Sequence, residues 1–147
     1  MRIAIGSDHA GRHLGLLAVS VVKDLHYQTI EFIPNDGVSV DYPDSAVQVA
    51  EAVAKGQAEM GILVCGTGVG MAMTANKIRG VRAAVVHDAY TAKMSRQHND
   101  ANVLCLGERV LGSGVAEECM RVFLQTSFEG GRHSTRVDKI KSIEDKQ

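Results

Sequence analysis

The stretch ILVCGTGVGMAMTANK, residues 62–77, passes from an apolar run through a glycine-rich loop into a segment with helical character. The apolar run is short and bounded by glycines, which is typical of a strand buried on both faces of a parallel sheet. Three glycines at alternate positions then follow Cys65, and glycine lets the backbone turn sharply or approach a ligand closely. The stretch therefore predicts a strand, a tight loop at its carboxyl end, and a helix over about residues 68–78.

The same order of strand and helix recurs along the whole chain. Five β-rich or apolar segments each precede a segment with helical spacing, and these are MRIAIGS, YQTIEFI, MGILVC, VRAAVV and NVLCLG. Alternation of this kind builds a parallel sheet with helices on both faces. We therefore predict an α/β fold in one domain over residues 1–147, with five strands and a C-terminal helical extension. Side-chain oxygens of Ser45, Asp88 and Ser113 are predicted to cap the helices that follow them.

The composition excludes several classes of protein. The chain has 147 residues and a net charge of −1, so it has no basic field that would attract nucleic acid or an anionic membrane. No window approaches the roughly 18 apolar residues of a membrane span, and the N-terminus is too short for a signal-peptide core, so we expect a cytoplasmic protein. The three cysteines lack ligand spacing, which argues against a disulfide framework or a zinc site, and Cys105 and Cys119 read as small buried hydrophobes.

The glycine loop is suited to an anion. A strand, a glycine loop and a helix together aim free amides and the positive helix end at one point, although the loop could also be only a tight turn. Its GxGxG spacing matches neither the dinucleotide fingerprint nor a P-loop, which argues against a dinucleotide-dependent oxidoreductase. Cys65 beside these amides would ionise readily and act as a nucleophile or base, or it simply closes a buried strand. Thr67 either caps the helix or bonds a reacting oxygen.

Polar residues also follow other segments. Asp8 follows the first strand, at the sheet edge where ligands of such folds collect. His98 and its polar neighbours in SRQHNDANV precede a buried strand. Arg132 and Arg136 in FEGGRHSTR are four residues apart, so they share one helix face if the helix starts early. Paired guanidiniums suit phosphate, and the alternative is a solvated cationic face.

The motifs GSDHAG, DYPD, CGTGVGMAMTANK, GVRAA, SRQHNDANV, LGERV and FEGGRHSTRV occur in this order over nearly the whole chain. Together they resemble the type B ribose-5-phosphate isomerases, in the family that also holds galactose-6-phosphate isomerase subunits. The resemblance implies a Rossmann-like three-layer αβα sandwich with no metal and no organic cofactor. It further implies isomerisation of a phosphorylated sugar in active sites formed between two subunits of a homodimer, which can pair into a homotetramer.

The resemblance also assigns roles to residues. Cys65 would be the base, with Thr67 assisting it, Asp8 would shuttle a proton between sugar oxygens, and His98 would open the furanose ring. Residues 71–75 contain no carboxylate that could replace the thiol. The residues implied to bind substrate, by backbone amide or side chain, are His9, Tyr42, Gly66, Gly68, Gly70, Asn99, Arg132 and Arg136, with phosphate assigned to His9 and the two arginines.

Two alternatives to a ribose-5-phosphate isomerase stay open at this point. One is an isomerase of galactose 6-phosphate or allose 6-phosphate, and the galactose enzymes of the family need a second subunit type. The other is a non-catalytic sensor of sugar phosphates, against which the presence of Cys65, Thr67, His98 and Asp8 argues, because sensing needs no base.

Overall fold

The computed structural model describes all 147 residues and contains five strands and six helices. The strands are β1 (Arg2–Ser7), β2 (Gln28–Phe32), β3 (Met60–Cys65), β4 (Ala83–Val85) and β5 (Val103–Gly107). The helices are α1 (Arg12–Asp24), α2 (Tyr42–Ala54), α3 (Val69–Ala75), α4 (Ala89–Gln97), α5 (Ser113–Gln125) and α6 (Arg132–Glu144). This order confirms the predicted alternation, with α6 as the C-terminal extension. None of these helices has the length and apolar character that a membrane crossing requires.

The strands form one parallel sheet in the order β2-β1-β3-β5-β4. At its centre Ile62 of β3 lies between Ile5 of β1 and Leu104 of β5. Apart from the first residues of β1 and β3, the three central strands are buried, as their apolar sequences predict. Because all strands run in parallel, their carboxyl ends meet at one edge, and Cys65 and Asp8 lie there.

Successive strand residues face two separate cores. Ile62 and Leu104 point to the face covered by α1, α4 and α5, where Phe123 is the largest fully buried side chain. Leu63 and Cys105 point to the opposite face, which α2 and α3 cover. The arrangement confirms the predicted αβα sandwich and the Rossmann-like fold.

The loop after β3 is tight, as predicted, but α3 is shorter than the sequence suggested. Gly68 takes a left-handed conformation with φ of 80°, and a side chain there would also meet the backbone of Leu106. The last helical residue is Ala75. The amide of Asn76 still bonds four residues back to Ala72, but those of Lys77 and Ile78 bond to carbonyls only three residues back.

β4 is also shorter than the segment VRAAVV. It starts at Ala83, because the preceding amide, of Arg82, donates to the Asn102 side chain at 2.8 Å.

One of the three predicted helix caps is confirmed. Asp88 accepts a hydrogen bond from the amide of Thr91 at 2.7 Å. The prediction for Ser45 is wrong, because α2 already begins at Tyr42 and the Ser45 hydroxyl instead donates to the carbonyl of Ser7. Ser113 is also not a cap, since it is the first helical residue and the chain enters α5 through an extended glycine.

Candidate active site

A cavity of about 250 Å³ opens at the carboxyl edge of the sheet, beside the glycine loop. It brings together seven of the residues that the sequence predicts for the site, namely Asp8, His9, Tyr42, Cys65, Gly66, Thr67 and Gly70. They come from the ends of β1 and β3, the start of α2 and the start of α3. The fold therefore gathers residues up to 62 positions apart at one edge, as parallel topology requires.

Cys65 is the last residue of β3 and borders this cavity although only 5% of its surface is exposed. Its sulfur accepts a hydrogen bond from the amide of Gly68 at 3.2 Å. The rigid strand fixes the Cα atom of Cys65, and the turn at Gly68 aims a backbone donor at the sulfur. Cys105 and Cys119, in contrast, have no exposed surface and confirm their expected place in the core. Burial raises the pKa of the Cys119 thiol to about 11 and also raises that of Cys105.

Two polar side chains near the sulfur keep part of their bonding capacity free. Asp8 is only 7% exposed, and its Oδ1 atom accepts the amide of Gly11 at 2.9 Å, which fixes the turn before α1. The Thr67 hydroxyl accepts the amide of Val69 at 3.3 Å and is exposed, so it supports the loop and also faces the cavity.

The backbone beside the cavity is tightly packed. A Cβ atom on Gly107 would lie 2.7 Å from the backbone of Thr67, and one on Gly11 would lie 2.2 Å from the carbonyl oxygen of Val64. The loop after β1 thus packs directly against β3, and the loop after β3 packs directly against the end of β5, without intervening side chains.

The exposed residues that line the cavity form its rim, and they are His9, Tyr42, Thr67 and Arg109. The amide of Val40 donates to Nδ1 of His9 at 3.3 Å. The ring of Tyr42 lies against Gly70, where a Cβ atom would come within 2.7 Å of it.

Arg109 also lines the cavity, and sequence reasoning missed it. It follows β5 and is exposed, and its guanidinium lies 3.4 Å from where a Cβ atom of Gly66 would be. Its amide donates to the carbonyl of Gly66 at 3.0 Å, which ties it to the loop. The available signal was its position just after a buried strand whose carboxyl end lies beside that of β3.

A second cavity, of about 380 Å³, is lined entirely by polar residues: His98, Asn99, Arg132, His133 and Arg136. α6 begins at Arg132, so Arg132 and Arg136 share a face, as their spacing predicts. The rings of His98 and His133 stack with centroids 4.2 Å apart. Burial lowers the pKa of His133, and the neighbouring His98 and Arg132 lower it further. With two permanent cations, this cavity is suited to a phosphate group.

The same place also contains a cluster of potential metal ligands. Ligand atoms of His98, Glu129 and His133 lie within 4.8 Å of one another. However, the two imidazole planes are within 12° of parallel, so a single ion cannot lie in both ring planes. With Arg132 and Arg136 adjacent, the arrangement suits an anion better than a metal cation.

The two cavities share no lining residue within one chain. The structure thus divides the predicted site residues into a group around Cys65 and a group around His98. His9 lies in the first group, apart from the two arginines with which the resemblance associated it.

Comparison with known proteins shows the family to which this fold belongs. Residues 3–140 match the family described as Ribose/Galactose Isomerase. Ribose-5-phosphate isomerase B of Escherichia coli is 44% identical, covering 99% of this chain and 98% of that protein. The structure of Clostridium thermocellum ribose-5-phosphate isomerase B is 49% identical, with a TM-score of 0.96 and 99% of each chain covered. Ribose-5-phosphate isomerase B from Mycoplasma genitalium, solved with bound ribulose-5-phosphate, is 42% identical, with a TM-score of 0.94 over 99% of this chain and 97% of that one.

Proposed function

The chain belongs to the ribose/galactose isomerase family, and on that premise we propose that it interconverts ribose 5-phosphate and ribulose 5-phosphate with Cys65 as the base. The observation that carries the proposal is the position of the Cys65 sulfur. It borders a polar cavity, receives the Gly68 amide, and lies beside Asp8 and Thr67 among the lining residues. The relatives named ribose-5-phosphate isomerase B, matched over nearly their full length, support ribose 5-phosphate as the substrate.

The proposed chemistry begins with the ring. His98 assists opening of the furanose, which frees the aldehyde. The Cys65 thiolate then removes the proton from C2, and the electron pair moves onto the carbonyl oxygen to give an enediolate. Amides of the glycine loop stabilise that oxygen, a type of contact worth about 2.7–4 kcal/mol per donor. The proton returns at C1, while Asp8 moves a proton between the two sugar oxygens, so atoms and charges balance.

The phosphate would serve as the handle that positions the reacting carbons. Arg132 and Arg136 present two guanidiniums on one helix face, and phosphate oxygens can accept two parallel hydrogen bonds from each guanidinium. Binding energy from this unreactive end then helps to orient C1 and C2 against the base. Asn99 would bind a sugar oxygen between the two ends.

We further propose that each active site combines the Cys65 cavity of one subunit with the His98 cavity of its partner in a homodimer. The support is the separation of the two cavities within one chain. The proposal predicts complementation between two inactive variants, Cys65→Ser and His98→Asn. When they are co-expressed, half of the dimers are mixed and carry one intact site each, so about a quarter of the wild-type activity returns. If each site lies within one chain, no activity returns.

The substrate is tested by assaying the purified chain with ribose 5-phosphate, galactose 6-phosphate and allose 6-phosphate. We expect the highest kcat/KM with ribose 5-phosphate. A preference for either hexose would overturn the pentose assignment and leave the reaction class intact. Binding without turnover of any sugar would overturn the reaction class and point to a sensor.

A further inference from the structure

The turn that follows α4 is held by one carboxylate between two arginines. Oδ1 of Asp100 accepts a hydrogen bond from Nη1 of Arg96 at 2.9 Å. Oδ2 of Asp100 accepts one from Nη2 of Arg82 at 3.0 Å. We refer to Arg82, Asp100 and Arg96 as the Asp100 bridge. Asp100 has a φ of 45°, in the left-handed region that glycine occupies more easily. Aspartate adopts this conformation more readily than most other residues with a side chain, and here its carboxylate also forms the two ion pairs.

Arg82 also fixes the backbone next to His98. Its Nε atom donates to the carbonyl of Asp100 at 2.9 Å and to that of Asn99 at 3.3 Å. His98 itself directly follows α4, and its amide donates to the carbonyl of Met94. His98 and Asn99, which are proposed to contact the sugar, thus lie between the end of α4 and the guanidinium of Arg82.

Arg96 connects this turn to the segment that leads into α6. It is only 7% exposed, and its Nη1 atom donates to the carbonyl of Ala101 while its Nε atom donates to that of Thr126 at 3.2 Å. The amide of Glu129 bonds to the carbonyl of Gln97 at 3.1 Å, which adds a second tie between the same segments.

These ties explain why the rings of His98 and His133 meet although they lie 35 positions apart in the sequence. One ring is placed by the end of α4 and the other by the start of α6. The bridge is a partly buried polar link at that junction.

We propose that Arg82, Asp100 and Arg96 are positioning residues that hold the His98 ring against His133 and orient Asn99 in the second cavity. None of the three lines that cavity, so they act through the turn and not by touching phosphate or sugar. The part of this inference that concerns turnover rests on the proposed function, whereas the part that concerns ring placement does not. A misplacement of about 1 Å can cost on the order of 10²-fold in rate.

The most informative variant is Asp100→Gly. It removes the carboxylate, and glycine accepts the left-handed backbone without strain, so the fold should survive. Asp100→Asn keeps the shape and loses the charge, and Arg82→Gln breaks the bridge from the other side. A matched control is Arg121→Gln, because Arg121 also pairs with two carboxylates, Glu117 and Asp24, but on the surface away from both cavities.

Two readouts are measured on each variant: the NMR resonances of the His98 and His133 ring protons, and kcat with ribose 5-phosphate. We expect the Asp100→Gly and Arg82→Gln variants to remain folded at the assay temperature, to shift both ring signals, and to lose between about 10- and 100-fold in kcat. Arg121→Gln should change neither. Unchanged ring signals, shifted signals with full turnover, or a loss of turnover that only follows the loss of folded protein would each overturn the proposal. If the wild type isomerises no sugar phosphate, the proposed function fails, and the ring signals alone still decide the positioning.

Discussion

Replacing the Cys65 sulfur by oxygen separates its catalytic contribution from its structural one. In the Cys65→Ser variant the hydroxyl can still accept the Gly68 amide, which donates to the sulfur at 3.2 Å in the wild type. A serine hydroxyl does not ionise near neutral pH, so the proposed base is lost while the hydrogen bond remains. The Cys65→Ala variant loses both.

The two variants are expected to lose the same amount of activity but different amounts of stability. A positioned base contributes about 10²–10⁴-fold, so both variants should lose kcat/KM by roughly that factor. This corresponds to about 2.7–5.4 kcal/mol of transition-state stabilisation. Only Cys65→Ala leaves the buried Gly68 amide without its acceptor, which should lower the free energy of unfolding by about 1–3 kcal/mol. Cys65→Ser should therefore be the more stable of the two and equally inactive.

Alkylation gives an independent test on the unmodified protein. Cys105 and Cys119 have no exposed surface, and with a pKa of about 11 only about one Cys119 thiol in 10⁴ is ionised at pH 7. We expect iodoacetamide to label Cys65 first, with loss of turnover in proportion to labelling and protection by ribose 5-phosphate. Cys119→Ala is the matched control and should keep wild-type turnover per folded molecule.

The reasoning would be refuted by either of two results. One is a Cys65→Ser variant that keeps more than about a tenth of the wild-type kcat/KM, since that exceeds what loss of a positioned base allows. The other is labelling of Cys65 at neutral pH that is no faster than labelling of the two buried thiols.

Two further predictions concern the rim of the first cavity and the stacked histidines. Gly70→Ala places a Cβ atom 2.7 Å from the Tyr42 ring, so we expect the ring to rotate and KM to rise by up to about tenfold, or about 1.4 kcal/mol. The matched control is Gly114→Ala, where the added methyl group meets open space and KM should not change. An unchanged KM for Gly70→Ala would contradict the assigned role of the Tyr42 ring in substrate binding. Burial lowers the pKa of His133 below 6.5, so the unfolded chain takes up a proton that the folded chain refuses as pH falls through that value. The free energy of unfolding, measured with urea, should therefore decrease from about pH 7.5 to 5.5, and less so in His133→Gln; equal slopes would show that His133 is not the group responsible.

Local sequence patterns were sufficient for the fold and for each half of the candidate site. The apolar runs ending at Ser7 and Cys65 predicted buried strands whose ends meet, and this placed Asp8 beside the thiol. The four-residue spacing of Arg132 and Arg136 predicted a shared helix face, which the start of α6 confirms. In each of these cases, the determining contacts lie within one element or follow from parallel topology.

Long-range contacts between side chains and backbone could not be predicted in this way. Arg109 was not identified as a site residue, because nothing local indicates that its guanidinium lies beside Gly66, 43 positions earlier. Serine is a typical helix N-cap residue, but the Ser45 hydroxyl instead donates to the carbonyl of Ser7 in β1. The two ion pairs of Asp100 likewise depend on where β4 begins and where α4 ends, which spacing does not encode.

The backbone-to-backbone packing under the first cavity limits how enzymes of this design can diversify. Even a methyl group on Gly11 would collide with the backbone of Val64, and one on Gly107 would collide with the backbone of Thr67. New side chains therefore cannot be introduced at these two positions. Substitutions that would adapt the cavity to a longer or differently branched sugar are therefore expected at Tyr42, His9 or Arg109, whose exposed side chains line it.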